Sequence, residues 1–398
     1  MIYDVAVVGG GPIGSIAARY AAMHGAKVAL FEEHSSIGSP VGCTGLLSVK
    51  ALRECDISPD PSFVVNSVCG AFIHAPDGTC VPIDGRDTRA YVVLRKVLDR
   101  KLALMAAESG VDFFLKSHVH NLTSENGLKV LSVTNGGVPV DFKSKVVIAA
   151  DGPRAQISRM AGIPASERLL PGIQFEMKMK PKKQYFVELF VGSVAPGFFG
   201  WVVPVTQDIC RVGMAIEKQD ECVQHYLDEF ITILENKYGR IAKGSMDFVV
   251  GSIPLGLPST TVANGVLVCG DAAGQVKPTS GGGIYPGAIC AKIAGKVAAE
   301  AALEGNTSAS RLSVYDKEWR RVLEKELKMG MKAHNFAAKL SDSQWDELIV
   351  SLNKPALLEL IEEYGDMDHP SILLKKFLNP MNSRHMAGLL KSFVKSVF

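Results

Sequence analysis

The 398-residue sequence contains no CxxC pair. Its eight cysteines (Cys43, Cys55, Cys69, Cys80, Cys210, Cys222, Cys269 and Cys290) are scattered along the chain. That spacing excludes a zinc ribbon or an iron–sulfur cluster and leaves thiols, most of them small core residues. A dominant charge is missing too. The net charge is +2, without the basic patch that nucleic-acid binding requires. No run approaches the ~20 apolar residues that cross a bilayer. The chain opens Met1-Ile2-Tyr3-Asp4 with no basic segment, so no signal peptide is expected and the predicted location is cytoplasmic. A second GxGxxG is also absent, and with it a dedicated nicotinamide domain. What remains is apolar. A hydrophobic content of 47%, a charged content of 21% and a mean hydropathy of +0.15 exclude disorder. They fit a folded α/β protein with apolar cavities or surfaces.

The chain is organised around Val266–Gly287, VLVCGDAAGQVKPTSGGGIYPG. A β-branched strand meets Gly270-Asp271, then a small-residue loop and Gly281–Gly283, ahead of an alanine-rich helix. Bare backbone before a helix suits a phosphate, ribityl or ring-oxygen contact. The N-terminus supplies a matching half. Strand Tyr3–Val8 runs into Gly9-Gly10-Gly11-Pro12-Ile13-Gly14, helix Ser15–Gly25 follows, and strand Lys27–Phe31 ends on Glu32 and Glu33. This is GxGxxG in its required setting. Gly9 serves the turn, Gly11 the approach of a pyrophosphate, Gly14 the packing of helix on strand, and an acid about 20 positions on serves a ribose. Glu32 ends the strand and is preferred to Glu33.

Between these halves, Ile37–Gly45 is too rich in glycine to be core. Ser67–Ile73 and Cys80–Ile83 alternate like strands of a second sheet. Ala90–Arg95 returns to a helix, Lys96–Ser109, with Leu94, Leu98, Leu102 and Met105 as its apolar face. Val111–Val119 and Gly127–Val133 read as a meander, and Lys145–Ala150 as a buried strand closing on Asp151-Gly152. Residues 172–216 predict a long antiparallel sheet that collects the aromatics, including Phe175, Phe199 and Trp201. A helix near Cys222–Tyr238 and a strand Phe248–Ser252 follow. After Ser308 the chain is helical and strongly amphipathic. The last helix places Met386, Leu389, Leu390, Phe393, Val394 and Val397 on one face, with Arg384, Lys391 and Lys395 off it. Such a face suits either an interfacial membrane helix or a helix docked on its own domain.

GxGxxG, the ADG of Ala150–Gly152 and the GDAAG at Gly270–Gly274 together resemble an FAD-binding flavoprotein of the p-hydroxybenzoate hydroxylase fold, over about residues 1–310. Within it, GSPVGCTG and GDAAGQVKPTSGGGI are similar to the cysteine-bearing flavin loop and third FAD segment of the geranylgeranyl reductases. That family's YxWxFP and GxG motif appears as Phe199-Gly200-Trp201-Val202-Val203-Pro204 and Gly213-Met214-Ala215. Trp201, Pro204 and Gly213 are kept, while Phe199, Val203 and Ala215 depart from it.

The resemblance implies an α/β fold (α+β overall): a Rossmann-like FAD-binding domain, an antiparallel-sheet substrate domain and a C-terminal helical region. The expected divisions are 1–62, 86–170 and 260–310 for FAD, 63–85 and 171–259 for substrate, and 311–398 for the helices. The implied FAD contacts are Ile13, Gly14, Glu32, Cys43, Thr44, Arg95, Val119, Asp271, Gly283 and Ile284. The implied substrate pocket is Phe175, Phe199, Trp201, Pro204, Gly213 and Tyr285, and no metal is expected. The implied reaction saturates C=C bonds of geranylgeranyl chains of archaeal-type ether phospholipids, a hydride going to one carbon and a proton to the other. No carboxylate or histidine stands out as the acid, and Cys43 is a candidate proton donor because the resemblance places it by the flavin.

The implied partners are an isoprenoid lipid, an external electron donor (ferredoxin, reduced nicotinamide or deazaflavin) and, peripherally, the membrane surface. The rival reading is an FAD-dependent monooxygenase of the same fold acting on an apolar substrate. It is disfavoured by Gly274, where such enzymes tend to carry histidine. A quinone oxidoreductase would need a cysteine cluster, and no cysteine follows Cys290.

Overall fold

A computed structural model describes residues 2–217, 222–239, 241–379 and 388–397. Strand Ile2–Val8 is central to an eight-stranded sheet, parallel to Val28–Phe31 on one side and to Val138–Ala149 on the other. Asp112–Phe114 and Val266–Val268 extend it in the same sense. Strands covered on both faces read as unbroken apolar runs. Val5 and Val7 enter a core with helices Pro12–Met23, Arg95–Glu108 and Ile284–Glu304, whereas Ala6 and Val8 enter one with the meander Ser117–Glu125 and Leu128–Asn135.

A seven-stranded sheet runs in the order Ile241–Leu255, Arg168–Met179, Ile209–Ala215, Phe199–Pro204, Phe186–Phe190, Gly70–His74, Cys80–Asp84. The expected antiparallel pattern is broken once, because Phe186–Phe190 pairs parallel to Gly70–His74. Parallel pairing needs a long crossover, and the chain's return through the nucleotide sheet supplies it. Helix Val223–Tyr238 closes one face through Leu227, Phe230 and Leu234.

Other expectations are corrected. Ser67–Ile73 is two strands: Val64–Val68 pairs with Ala90–Val93 in a three-stranded sheet with Leu46–Ser48, and only Gly70–His74 joins the large sheet. Alternation continues across the break, so only the choice of partner reveals it. Leu94 is 37% exposed and the helix after it buries Asp99 instead. The strand predicted at Lys145 begins at Val138, because its outer half is exposed and carries no apolar run.

The C-terminal region comprises helices Ala309–Trp319, Lys325–Ala337, Asp342–Leu352, Pro355–Tyr364, Pro370–Leu378 and Gly388–Val397. Leu390 and Val394 are buried, and with Phe393 they join a core shared with Lys325–Ala337 and Asp342–Leu352. That part of the amphipathic face is docked on its own region. Arg384 and Met386 lie outside the described residues. No helix among the described residues is long and apolar enough to cross a membrane.

Candidate functional site

Where Ile2–Val8 ends, Gly9 turns with φ +103° and the chain enters helix Pro12–Met23. Gly14 presses on that turn, and a Cβ there would overlap the Gly9 carbonyl oxygen. Gly11 differs. A Cβ on it would meet nothing within 4 Å, so the backbone borders open space. Pro12 has no N–H, and the amides of Ile13 and Gly14 have no carbonyl one turn earlier to bond. They present partial positive charge where a pyrophosphate would lie. Ile13 can offer only its amide, because its side chain is wedged against Gly270 and Gly287.

Glu32 Oε2 accepts from the Gly10 N–H at 2.7 Å and Oε1 from the His34 N–H at 2.9 Å. Ser117 N–H donates to the Glu32 carbonyl at 2.8 Å, which carries Val119 to the same corner. Val119 is buried and paired with Val133, so only backbone is available there. Glu33 instead turns to His118 and Arg154.

The second half is the turn Gly270–Ala273 and the start of helix Ile284–Glu304. Asp271 Oδ1 lies 2.5 Å from where a Gly283 Cβ would be, so only glycine lets that acid and the helix start share the corner. Burial pushes the Asp271 carboxyl up to about 6, against the pull of the nearby Arg95 charge. Arg95 Nε and Nη2 donate to the two oxygens of Asp99 at 2.8 and 2.9 Å. Burial opposes the Arg95 charge, but Asp99 and Cys43 outweigh it and leave the guanidinium pKa raised. Cys43 Sγ accepts the Gly45 N–H at 3.3 Å.

Asp151 Oδ2 caps the Ile157 N–H at 2.9 Å, while its buried Oδ1 has no partner among the described residues. That orphaned oxygen, the open backbone at Gly11 and the free helix amides suit a cofactor bearing phosphates and hydroxyls. Gly274 has φ +60°, and a Cβ there would overlap the Gly256 carbonyl. No histidine fits that position unless Gly256 moves.

Arg211, 9% exposed, was not singled out by sequence reasoning. Its Nη1 donates to the carbonyls of Thr44 (2.6 Å) and Val93 (3.1 Å), and its Nε to Glu176 (3.0 Å). It ties the large sheet to the Ile37–Gly45 loop and to the strand leading into Arg95. The available signal was a lone cation inside the apolar strand ICRVGMAI. Asp99 was signalled by its place four residues after Arg95.

Trp201, Gly213 and Gln174 stand in register across three strands, and Trp201 Nε1 reaches over Gly213 to Gln174 Oε1 at 2.9 Å. Phe199 shares this face, edge-on to Trp201 at 6.0 Å. The expected grouping of pocket residues is corrected by the two-residue period of strands. Phe175 points to the opposite face and packs with the core under helix Val223–Tyr238; Pro204 has the parity of Val202, which packs there too. Tyr285 is buried, its hydroxyl 3.2 Å from His369 Nε2. Lys277, in the Val266–Gly287 segment, is paired with buried Asp368 at 2.6 Å. Among the described residues no cluster could hold a metal ion.

Residues 4–168 match the family model described as FAD dependent oxidoreductase. The structure of p-nitrophenol 4-monooxygenase from Pseudomonas putida superposes with a TM-score of 0.70 at 17% identity, covering 91% of this chain and 97% of that one. Fold and site thus define an FAD-dependent oxidoreductase, and the cofactor is FAD. The digeranylgeranylglycerophospholipid reductase of Methanococcus aeolicus is 34% identical over 88% of this chain and 90% of its own length. That of Methanothrix thermoacetophila is 35% identical over 88% and 91%. A geranylgeranyl bacteriochlorophyll reductase-like protein from Thermoplasma acidophilum superposes with a TM-score of 0.88 at 29% identity, covering 100% of this chain and 99% of that one. The chain belongs to the digeranylgeranylglycerophospholipid reductase family.

Proposed function

We propose that this protein is an FAD-dependent reductase that saturates the double bonds of geranylgeranyl chains in archaeal-type ether phospholipids. The observation that carries the reading is the sheet face turned to the Ile37–Gly45 loop. It is apolar at Phe199 and Trp201, and its polar groups are paired internally as Trp201–Gln174 and Arg211–Glu176. This pairing lowers the cost of setting hydrocarbon against those polar groups. Each buried CH₂ of an isoprenoid contributes ~0.8 kcal/mol, so the chain can bind without polar contacts.

The residues present fit FAD. Amides of Ile13 and Gly14 would hold the pyrophosphate, Glu32 the ribose hydroxyls and the Val119 backbone the adenine. Asp271 and Arg95 would hold the ribityl and phosphate region, the amides of Gly283 and Ile284 the ring, and Cys43 and Thr44 its edge. Bound and reduced, FAD supplies the hydride. The protein's own task is to hold the alkene still, exclude water and provide a proton. Trp201, fixed by Gln174, and Phe199 would orient the chain. Arg211 would hold the Thr44 loop at a constant distance from them. Electrons would come from an external donor (ferredoxin, reduced nicotinamide or reduced deazaflavin), and lipid from peripheral contact with a membrane surface.

The test is anaerobic incubation of the reduced protein with an unsaturated ether phospholipid, followed by mass spectrometry. A gain of two mass units per double bond is expected. Oxygen insertion would instead support a monooxygenase, and an unchanged lipid would overturn the reading.

A further inference from the structure

Reducing an alkene consumes one proton for every hydride, and a site that excludes water has to be resupplied. One chain of groups runs from a buried phenol beside the cofactor corner to solvent. Tyr285, 8% exposed, lies in the first turn of helix Ile284–Glu304, directly after Gly283 and Ile284. That helix also packs on strand Leu46–Ser48 and helix Val49–Glu54, which follow the Cys43–Thr44 loop. Tyr285 shares one buried core with Leu47, Ala51 and Leu52 of those elements. Its hydroxyl is 3.2 Å from His369 Nε2, and the two rings meet edge-on at 5.6 Å. His369 Nδ1 is 3.3 Å from Lys50 Nζ, and Lys50, 43% exposed, reaches water. Lys50 is held by Asp366 Oδ2 at 2.5 Å. Asp366 Oδ1 accepts the N–H groups of Asp368 and His369 at 2.8 and 3.1 Å, and Asp368 is pinned by Lys277. The imidazole is thus held in place from both sides of its turn.

The direction of the chain follows from what each group can donate. An ammonium has donors only, so His369 Nδ1, 3.3 Å from Lys50 Nζ and 3.6 Å from Asp366 Oδ2, accepts from Lys50 in the tautomer that carries the ring proton on Nε2. Nε2–H then donates to the Tyr285 oxygen, which leaves the phenolic proton free to be given elsewhere. In that tautomer every donor along Lys50, His369 and Tyr285 points inward. Burial, with the charges of Asp368, Glu54, Asp366 and Glu326 around it, raises the Tyr285 pKa and keeps the phenol protonated.

We propose that Tyr285, resupplied through His369 and Lys50, delivers the proton for alkene reduction; the assignment rests on the reductase reading above. The hydride, taken with its electron pair from reduced FAD, bonds to one alkene carbon. The π pair takes the Tyr285 proton at the other carbon, so the C=C π bond and the O–H bond break and two C–H bonds form. Tyr285 then recovers a proton from His369 Nε2, Nδ1 takes one from Lys50, and Lys50 takes one from water.

The test uses the full-length, FAD-loaded protein as wild type, Tyr285→Phe and His369→Ala. Each is reduced anaerobically and mixed with an unsaturated ether phospholipid, and flavin reoxidation is followed. Tyr285→Phe should slow reoxidation by about 100-fold, and His369→Ala by about tenfold with recovery on adding imidazole. In Tyr285→Phe FAD affinity should be unchanged and the melting temperature should fall by only about 2–4 °C, the cost of one lost hydrogen bond, which separates proton supply from misfolding. Independently of turnover, ¹⁵N NMR of histidine-labelled protein should show His369 protonated at Nε2, with that resonance moved by Tyr285→Phe. Wild-type rates in Tyr285→Phe, no rescue by imidazole, or a proton on Nδ1 would each overturn the proton path. Wild-type protein that leaves the lipid unreduced would overturn the reductase reading itself.

Discussion

The two faces of the seven-stranded sheet come from the same strands, yet they are built on different principles. One is closed by helix Val223–Tyr238, whose fully buried Leu227, Phe230 and Leu234 meet Val202, Val212 and Met214. The other turns to the Ile37–Gly45 loop and sets Gln174, Glu176 and Arg211 among Phe199 and Trp201. Apolar packing alone yields a stable layer but no fixed geometry for a ligand. Partnered polar groups cost desolvation and return a defined arrangement. The face proposed to meet the lipid is therefore marked by paired polar residues among aromatics, and aromatic density by itself is a poor guide.

The strongest way to break this contrast is Phe230→Ala. It should cost about 3–5 kcal/mol of stability, read from denaturant midpoints, while FAD affinity and lipid reduction per folded molecule stay unchanged. A parallel loss of FAD binding would show that the faces are not separate. Arg211→Met should cost about 3 kcal/mol, because it leaves Glu176 without its cation. Unlike Phe230→Ala it should also weaken FAD in a flavin-fluorescence titration, and Arg211→Lys should restore part of the loss.

Trp201→Phe is a finer test. Stability should fall by only about 1 kcal/mol, from the unpaired Gln174. Steady-state kinetics should show kcat/KM for the lipid falling about tenfold, a loss of about 1.4 kcal/mol in transition-state binding.

The smallest effect concerns buried charge on the cofactor side. In cofactor-free protein, folded Asp271 keeps its proton up to about 6, whereas the unfolded chain releases it near 3.8. Between these values the folded state binds more protons. This contribution to stability is thus complete below the lower value and is lost as pH rises through the upper one. Asp271 is partly open to solvent, which screens the loss to about 1 kcal/mol. Melting temperatures between pH 4 and 7 should show this decline in wild type and lack it in Asp271→Asn.

The cofactor half was legible because its requirements are local. A turn, a helix N-terminus and an acid at the next strand's end fall within residues 9–32, and each is tied to a residue type. The large sheet was legible as strands, but not as faces. Phe175 and Phe199 look equivalent in composition, and only register and the packing of helix Val223–Tyr238 separate them. The least legible contacts join distant segments. Arg211 meets Thr44 across 167 residues, and Tyr285 meets His369 across 84. No periodicity spans such distances. The split of Ser67–Ile73 between two sheets was hidden for the same reason, since both strands alternate alike and differ only in partner.

By itself, the sequence determined the dinucleotide turn at Gly9–Gly14, the acid at Glu32, the segment Val266–Gly287 and the family motif around Trp201. These depend on backbone conformation and residue chemistry within a few neighbours. Only the tertiary structure decided which sheet face meets the Ile37–Gly45 loop, that Gly274 must lack a side chain because the Gly256 carbonyl lies against it, and that Arg211 joins three segments. Those outcomes depend on which distant surfaces exclude water together. That is a property of the whole packed chain, and no stretch of it carries the information alone.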